Sequence, residues 1–311
     1  MVRIPQVTGS IWFNTKPLLP PDFQGKTILY DFWTYSCVNC RRTIPHLRAL
    51  WDKYKSQNFL IIGIHAPEFE FEKNLKNVEK AIADLGIGWP VVLDNDYFNW
   101  TRFANHYWPA KYLADKKGNI VYTRVGEGGY AETEKEIIKL LGLPGISAGK
   151  AMVDFEHGRV CFRATPETYC GWKRGNIVNR EGYKKDQKSF YEFPAAFPND
   201  ALALSGIFIA REEYVEPQEI GSEVLVNFHS NEVNLVLAPA ANSAKAVVLF
   251  DEEIIPAGLR GRDVNEYGEV DITKSDMYNL LKADFPTSGT LSVQLVHGKF
   301  RAYAFTFSGC S

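Results

Sequence analysis

Long hydrophobic runs are missing from this sequence. No stretch reaches the roughly 20 apolar residues that a helix needs to span a bilayer. The first ten residues, Met1 to Ser10, lack the basic start and apolar run of a secretory signal. We therefore expect the chain as given to be soluble. If the protein is exported, its signal or membrane segment lies outside the 311 residues, or Met1 is an added start.

An excess of charge of one sign is also missing. The formal net charge is -2, and no basic run carries the interleaved aromatic residues that nucleic-acid binding needs. Nucleic acid is therefore not an expected partner. With 45% apolar residues in 311, the composition is that of an ordinary globular protein, and the length predicts two domains.

Cysteine is scarce, and its count is odd: Cys37, Cys40, Cys161, Cys170 and Cys310. At least one must be unpaired within the chain. A chain this long can build its core without disulfides, so the cysteines call for a chemical explanation. Cys161 and Cys170 are close enough to bridge, but a disulfide and two buried thiols are equally compatible with their spacing. Neither they nor any histidine pair completes the four ligands of a zinc site, so we expect no metal.

The first part of the chain has the pattern of an α/β domain. Residues 27–33 and 59–65 are nearly continuous apolar runs, which is typical of buried parallel strands. Between them, residues 40–54 place apolar side chains at three- and four-residue spacings, which predicts an amphipathic helix and a βαβ unit. Further helices are predicted at about 74–85 and 132–141, and further strands at 90–93, 110–114 and 120–126.

The pattern changes after residue 145. The sequence Gly-Leu-Pro-Gly at 142–145 is a strong helix stop and ends the predicted first domain, 1–145. Residues 146–199 show no clear period and are predicted to be a mostly irregular connection. From 200 to 311, short alternating runs without long helices predict an all-β sandwich, jelly-roll-like. Its strands are expected at 202–210, 223–229, 233–238, 246–250, 290–296 and 301–307.

The Cys37-Val38-Asn39-Cys40 sequence is the motif that carries chemistry. Cys37 follows a buried strand and opens a helix, where free backbone N–H groups and the helix dipole favour a thiolate. A thiolate attacks a disulfide, and Cys40, one turn further on, can then resolve the mixed disulfide. A zinc knuckle or a structural disulfide is the alternative. The order of strand, Cys-x-x-Cys and helix favours a redox pair.

Residues 31–40 resemble the active-site strand and turn of thioredoxins, and Pro45 matches the proline in the helix that follows. The resemblance implies an α/β thioredoxin fold in which Asp31 is the buried acid beneath the cysteines. Such a desolvated carboxyl has a raised pKa and can relay the proton of Cys40. A strand residue that is paired locally is the alternative for Asp31.

The same resemblance implies a substrate-binding groove. Pro109 corresponds to the family's cis-proline, and a cis bond places the backbone of Trp108 beside the cysteines, where it can pair with an extended substrate. A trans proline that starts a strand is the alternative. Trp33 and Ser36, which flank the dithiol in sequence, are further predicted substrate contacts.

A narrower resemblance is to the soluble part of DipZ-like proteins, relatives of the TlpA-like redoxins. It rests on residues 33–40, 65–72, 93–97, 107–110 and 126–128, and in the second half on 164–169 and 302–307. It implies an extracytoplasmic, periplasmic redoxin domain followed by a domain that resembles a carbohydrate-binding module. The implied partners are protein thiols and disulfides, a membrane electron donor of the DipZ/CcdA type, and a glycan for the β-domain. No cofactor is implied.

Three residues qualify the resemblance. Val38 and Asn39 replace the Gly-Pro of reductant thioredoxins, and Ser36 replaces the usual tryptophan, so the direction of electron flow stays open.

In TlpA-like redoxins an acid near the position of Glu68 approaches the active site and could shuttle protons. Equally, Glu68 could belong to a solvated acidic run with Glu70 and Glu72.

Two other functions remain alternatives. A thiol peroxidase would need Pro-x-x-x-Thr-x-x-Cys around its cysteine, which Cys37 lacks. A scaffold protein would bind a glycan or a partner protein through the β-domain and carry an accessory redoxin domain. The aromatic residues available for sugar binding are Tyr169, Trp172, Tyr183, Tyr191 and Tyr267. Packing in the core is the commoner role of such residues.

Overall fold

The computed structural model describes residues 2–143 and 162–309. The chain divides into two compact units, Met1–Gly158 and Arg159–Ser311. Among the described residues, no helix is both long and apolar enough to cross a membrane.

The first unit is built on one mixed six-stranded sheet. Its strands are β1 Trp12–Phe13, β2 Thr27–Trp33, β3 Phe59–His65, β4 Val91–Leu93, β5 Ala110–Ala114 and β6 Ile120–Val125. They lie in the order β1-β4-β3-β2-β5-β6, with β2 parallel to β3 and antiparallel to β5. The predicted βαβ unit and the thioredoxin-like α/β fold are confirmed.

Helices flank this sheet. They are α1 Pro20–Phe23, α2 Val38–Tyr54, a 3-10 turn at Glu70–Lys73, α3 Leu75–Asp84, α4 Phe98–Arg102 and α5 Tyr130–Leu141. Side chains alternate between the two faces of a strand, so Leu29 and Trp33 share one face of β2. They pack there against Ile44 and Leu47 of α2. This packing places the start of α2 at the end of the central strand.

The second unit is an eight-stranded sheet whose ladders between named strands are all antiparallel. Its strands are β7 Thr168–Tyr169, β8 Lys188–Tyr191, β9 Ala201–Ala210, β10 Val215–Pro217, β11 Glu223–Phe250, β12 Glu253–Ile254, β13 Glu269–Ile272 and β14 Asp276–Ser308. Their buried faces form one aliphatic and aromatic core. The predicted all-β domain is confirmed.

One feature of the second unit differs from the expectation. The predicted short strands at 223–250 are parts of one long strand, β11, whose pairing with β14 resumes after several register shifts. Residues 162–199 lie in this unit and supply the short strands β7 and β8, and the rest of the described segment is irregular, as predicted. The boundaries at 145 and 199 stay predictions.

Candidate active site

Cys37 lies where the central strand passes into α2. It is the N-cap residue of the helix, and its sulfur accepts a hydrogen bond from the backbone N–H of Cys40 at 3.3 Å. Its side chain is half-buried. A sulfur at the positive end of a helix dipole, within reach of a free N–H, is stabilised as a thiolate. Cys37 therefore lies at the strand-to-helix junction, as predicted, and its role as nucleophile stays a prediction.

Cys40 is the buried member of the pair, with 1% of its surface exposed. Both cysteines are free thiols in the structure. Burial raises the pKa of Cys40 well above its ordinary value, because a buried thiolate loses its hydration. The neighbouring Cys37 raises that pKa further through its hydrogen bond and its charge. The geometry therefore separates an accessible thiol from a protected one that needs a base before it can react.

Asp31 lies on the interior side of this dithiol. It shares the α2-facing side of β2 with Leu29 and Trp33, and its charge raises the pKa of Cys40. Burial raises the pKa of Asp31 from 3.8 to about 7, and Lys111 opposes this rise. The carboxyl oxygen Oδ1 has no hydrogen-bond partner among the described residues. Asp31 is thus buried as the resemblance implies, and the local pairing given as its alternative is not seen at Oδ1.

Glu72 is a residue that the sequence analysis did not select. It is fully buried, and its carboxylate accepts hydrogen bonds from the backbone N–H of Ser36 at 3.2 Å and from the Ser36 hydroxyl at 2.7 Å. It also accepts from the backbone N–H groups of Glu68 and Phe69, at 2.5 and 3.0 Å. Glu72 therefore ties the turn before Cys37 to the turn after β3.

Glu68 occupies that second turn. Its side chain is partly buried, and its negative charge adds to burial, the larger cause, in raising the pKa of Glu72. The acidic run is thus divided: Glu70 is exposed and pairs with Lys73, Glu72 is an internal anchor, and Glu68 lies between them in exposure. The roles of Glu68 as a proton shuttle or a solvated residue both stay predictions.

The four predicted substrate contacts are placed differently from one another. Trp33 and Ser36 are each only 1% exposed, so neither residue presents surface to a substrate in this structure, and their role as substrate contacts stays a prediction. Trp108 is partly buried and packs, with Cys37, against the same core cluster, and its indole N–H donates to the carbonyl of Ala66 at 2.9 Å. The Trp108–Pro109 peptide bond is cis, as the resemblance implies.

Two histidines lie inside this unit. His65 is fully buried, its ring stacks on Tyr35 with centroids 5.8 Å apart, and burial lowers its pKa to about 3. His46 on α2 stacks on Tyr130 at 4.5 Å, and burial together with the charge of Lys111 lowers its pKa to about 4. Both rings are therefore neutral at ordinary pH.

The other predicted residues of interest lie in the second unit. Cys170 is buried in its core, and Cys161 and Cys310 lie outside the described residues, so the predicted choice for Cys161 and Cys170 stays open. Tyr191 is a core residue, and Trp172 and Tyr183 pack against that core, so core packing accounts for all three. Tyr267 is 67% exposed.

The sequences of known proteins give two domain matches. The profile of the AhpC/TSA family matches residues 14–123, and that of the thioredoxin like C-terminal domain matches residues 165–308. Protein DipZ of Mycobacterium bovis is 35% identical over 239 residues, which is 74% of this chain and 34% of DipZ. The chain thus spans about a third of the length of that relative.

A shorter relative aligns with less than half of this chain. Thiol-disulfide oxidoreductase YkuV of Bacillus subtilis is 28% identical over 139 residues, 44% of this chain and 93% of YkuV. Among solved structures, a thioredoxin-like protein in its oxidized form aligns with a TM-score of 0.42 and 27% identity, over 45% of this chain and 95% of its own.

The dithiol at the strand-to-helix junction and the two domain matches agree with one another. The chain is thus similar to redoxins of the TlpA/DipZ type, with a match to the AhpC/TSA family followed by a match to the thioredoxin like C-terminal domain.

Proposed function

We propose that this chain is a thiol-disulfide oxidoreductase that exchanges two electrons with protein substrates. The observation that carries the proposal is the asymmetry of the dithiol. Cys37 is half-buried at a helix N-terminus, whereas Cys40 is 1% exposed with a raised pKa. A nucleophile needs access and a stabilised thiolate, while a resolving thiol must wait for the mixed disulfide.

The exchange proceeds in two displacements. The Cys37 thiolate attacks one sulfur of a substrate disulfide, so that a mixed disulfide forms and the first substrate thiolate leaves. Cys40 then gives its proton to Asp31, attacks the sulfur of Cys37, and releases the second substrate thiolate. The dithiol loses two electrons and the substrate disulfide gains them. The reverse sequence would oxidise a substrate dithiol.

The proposal also includes a substrate groove, a location, an electron donor and a class of substrate. Trp108 and Pro109 are proposed to line the groove for an extended substrate, supported by the packing of Trp108 and Cys37 against one cluster. The resemblance to DipZ-like proteins supports an extracytoplasmic location and a membrane electron donor. Protein thiols and disulfides are the proposed substrates, in keeping with the printed name of YkuV.

A glycan is the proposed second ligand, bound by the second unit. The supporting observation is an open groove of about 530 Å³ on its sheet, lined by both polar and apolar side chains. Phe193 at its edge is 46% exposed and offers a ring for stacking. Glu223 accepts hydrogen bonds from Ser292 and Gln294 inside it, at 2.8 and 2.7 Å. Glycan-array binding by the wild type, lost in Phe193→Ala, would support this; equal binding by both would contradict it.

Insulin reduction tests the main proposal. The dithiol form, with dithiothreitol as electron source, should reduce insulin disulfides, and Cys37→Ser should reduce them no faster than dithiothreitol alone. Cys40→Ser should instead accumulate a covalent mixed disulfide, visible by mass spectrometry. Wild type that neither reduces insulin nor oxidises a dithiol peptide would overturn the proposal.

A further inference from the structure

Lys111 is the least expected side chain in the first unit. It lies on β5 and is 0% exposed, although lysine is among the residues that proteins bury least. Its ammonium nitrogen has no hydrogen-bond partner among the described residues. Burying such a group without a partner costs free energy, and such an exception calls for an explanation.

The register of the sheet explains what Lys111 faces. Lys111 of β5 is directly opposite Asp31 of β2 in an antiparallel pair. Side chains directly opposite lie on the same face, with Cβ atoms about 5 Å apart. Leu113, two residues after Lys111, packs into the same cluster as Cys40. Lys111 therefore lies on the α2-facing side, under the dithiol and beside the carboxyl group proposed to take the proton of Cys40.

Other charged and titratable groups also face Lys111. From α2 come Cys40 and His46, and from β6 comes Arg124, which is opposite Lys111 in register. Glu127, after β6, adds a negative charge. Burial lowers the pKa of Lys111, and the positive charge of Arg124 lowers that pKa further. The negative charges of Asp31, Cys40 and Glu127 raise it. Burial raises the pKa of Asp31 and Lys111 opposes that rise, just as Asp31 opposes the fall in the pKa of Lys111, so the two groups favour each other's charged forms.

We propose that Lys111 is a positioning residue for the resolving step, the buried counter-charge that keeps Asp31 able to accept the proton of Cys40. The inference rests on the proposed oxidoreductase function and deepens it. When Cys40 loses its proton to Asp31, negative charge moves from the carboxylate to the sulfur that attacks Cys37. A buried ammonium group that interacts electrostatically with both Asp31 and Cys40 stabilises that charge before and after the transfer.

The test isolates the resolving step with 5,5'-dithiobis(2-nitrobenzoate). Cys37 releases the first thionitrobenzoate as the mixed disulfide forms, and Cys40 releases the second as it attacks Cys37. The rate of the second release, measured by stopped flow between pH 5 and 9 in a Cys161→Ser/Cys310→Ser background, reports the ionisation of Asp31. An opposite charge nearby shifts a carboxyl pKa by roughly 1–3 units. We therefore expect Lys111→Met to raise the midpoint by at least about one pH unit and to slow the step about tenfold at pH 7.

Two variants separate this role from a structural one. Lys116→Met, in the exposed turn after β5, should leave the midpoint unchanged. In an Asp31→Asn background, Lys111→Met should cause no further change in the pH profile, because the carboxyl group it acts on is gone. A uniform slowing at every pH, with an unmoved midpoint, would overturn the proposal. Loss of both release phases in the wild type would instead contradict the oxidoreductase function.

A measurement on the wild type keeps the proposal testable if Lys111→Met does not fold. Carbon-13 chemical shifts of the Asp31 carboxyl and the Lys111 ε-carbon report their two titrations directly. Lys111 should stay charged throughout the range in which Asp31 ionises. A Lys111 that is already neutral where Asp31 ionises would overturn the proposal.

Discussion

The interiors of the two units differ in the kind of polar group that they bury. Among the described residues, every buried aspartate, glutamate, histidine and lysine lies in the first unit: Asp31, His46, His65, Glu72, Asp94, Lys111 and Glu134. The buried polar side chains of the second unit are serine, threonine and asparagine. Burying an ionisable group costs free energy. The clustering of buried ionisable side chains in the first unit therefore indicates that the chemistry takes place there.

The cysteines repeat this contrast. Cys40 lies above Asp31 and Lys111 and beside a half-buried Cys37, whereas Cys170 lies among the aliphatic side chains of a packed core. Burial raises the pKa of Cys170 as it does that of Cys40. A raised thiol pKa therefore does not identify a redox centre. The accessible partner and the nearby acid do.

The largest effect is expected from replacing the half-buried cysteine of the first unit, in comparison with replacing the core cysteine of the second. Cys37→Ser should abolish insulin reduction above the dithiothreitol background, because the nucleophile is lost. Cys170→Ala should keep at least about half of the wild-type rate, since the substitution removes one core sulfur of the second unit, for which no exchange chemistry is proposed. Equal losses in the two variants, with both folded by circular dichroism, would break the comparison.

Glu72→Ala should give the next largest effect, on stability. The substitution leaves the backbone N–H groups of Ser36, Glu68 and Phe69 without their acceptor, and each buried unpaired donor costs about 1–3 kcal/mol. We expect the free energy of unfolding to fall by about 2–4 kcal/mol in urea denaturation. Glu70→Ala, two residues away and exposed, is the matched control and should change it by less than about 0.5 kcal/mol. Equal losses would show that Glu72 is not an anchor.

Asp31 should make the stability of the protein depend on pH. Its folded pKa is about 7 against an ordinary 3.8, so the folded state binds more protons than the unfolded state between these values. Stability from this group is therefore fully present below about pH 4 and is lost as the pH rises towards 7. We expect the free energy of unfolding to fall by about 2 kcal/mol from pH 5 to pH 7, and Asp31→Asn to lack this decrease. The same slope in both proteins would refute the raised pKa.

Glu68→Gln is expected to have the smallest effect, within about threefold on the insulin rate. The basis is that the backbone N–H of Glu68 donates to Glu72, so that this hydrogen bond stays in place when the carboxylate becomes an amide. General acid–base catalysis by a side chain contributes about 100-fold or more. A loss of that size would assign Glu68 to the proton path and would leave Asp31 as the lesser group.

The sequence is sufficient to predict those parts of the site that follow local rules. Two apolar runs predict the strands β2 and β3, and a helical period predicts α2. Cys37 lies between β2 and α2. Lys111 and Glu72 escape such rules. A lysine in the strand Ala-Lys-Tyr-Leu-Ala and a glutamate in an acidic run both have the sequence pattern of solvated residues, and only the pairing of β5 with β2 and the fold of the turn after β3 bury them.

The long strands β11 and β14 show the same limit in the second unit. Their separate apolar runs were predicted, but the irregular positions through which pairing continues depend on the partner strand, which local pattern does not specify.

The reduction potential of the Cys37/Cys40 pair tests the central claim most directly. The protein would be equilibrated in dithiothreitol or glutathione buffers of graded potential, and its free thiols would be trapped and counted by mass spectrometry. The account predicts a reversible two-electron couple that includes Cys37 and Cys40 and disappears in Cys40→Ser. A dithiol that shows no reversible couple at any buffer potential would contradict it.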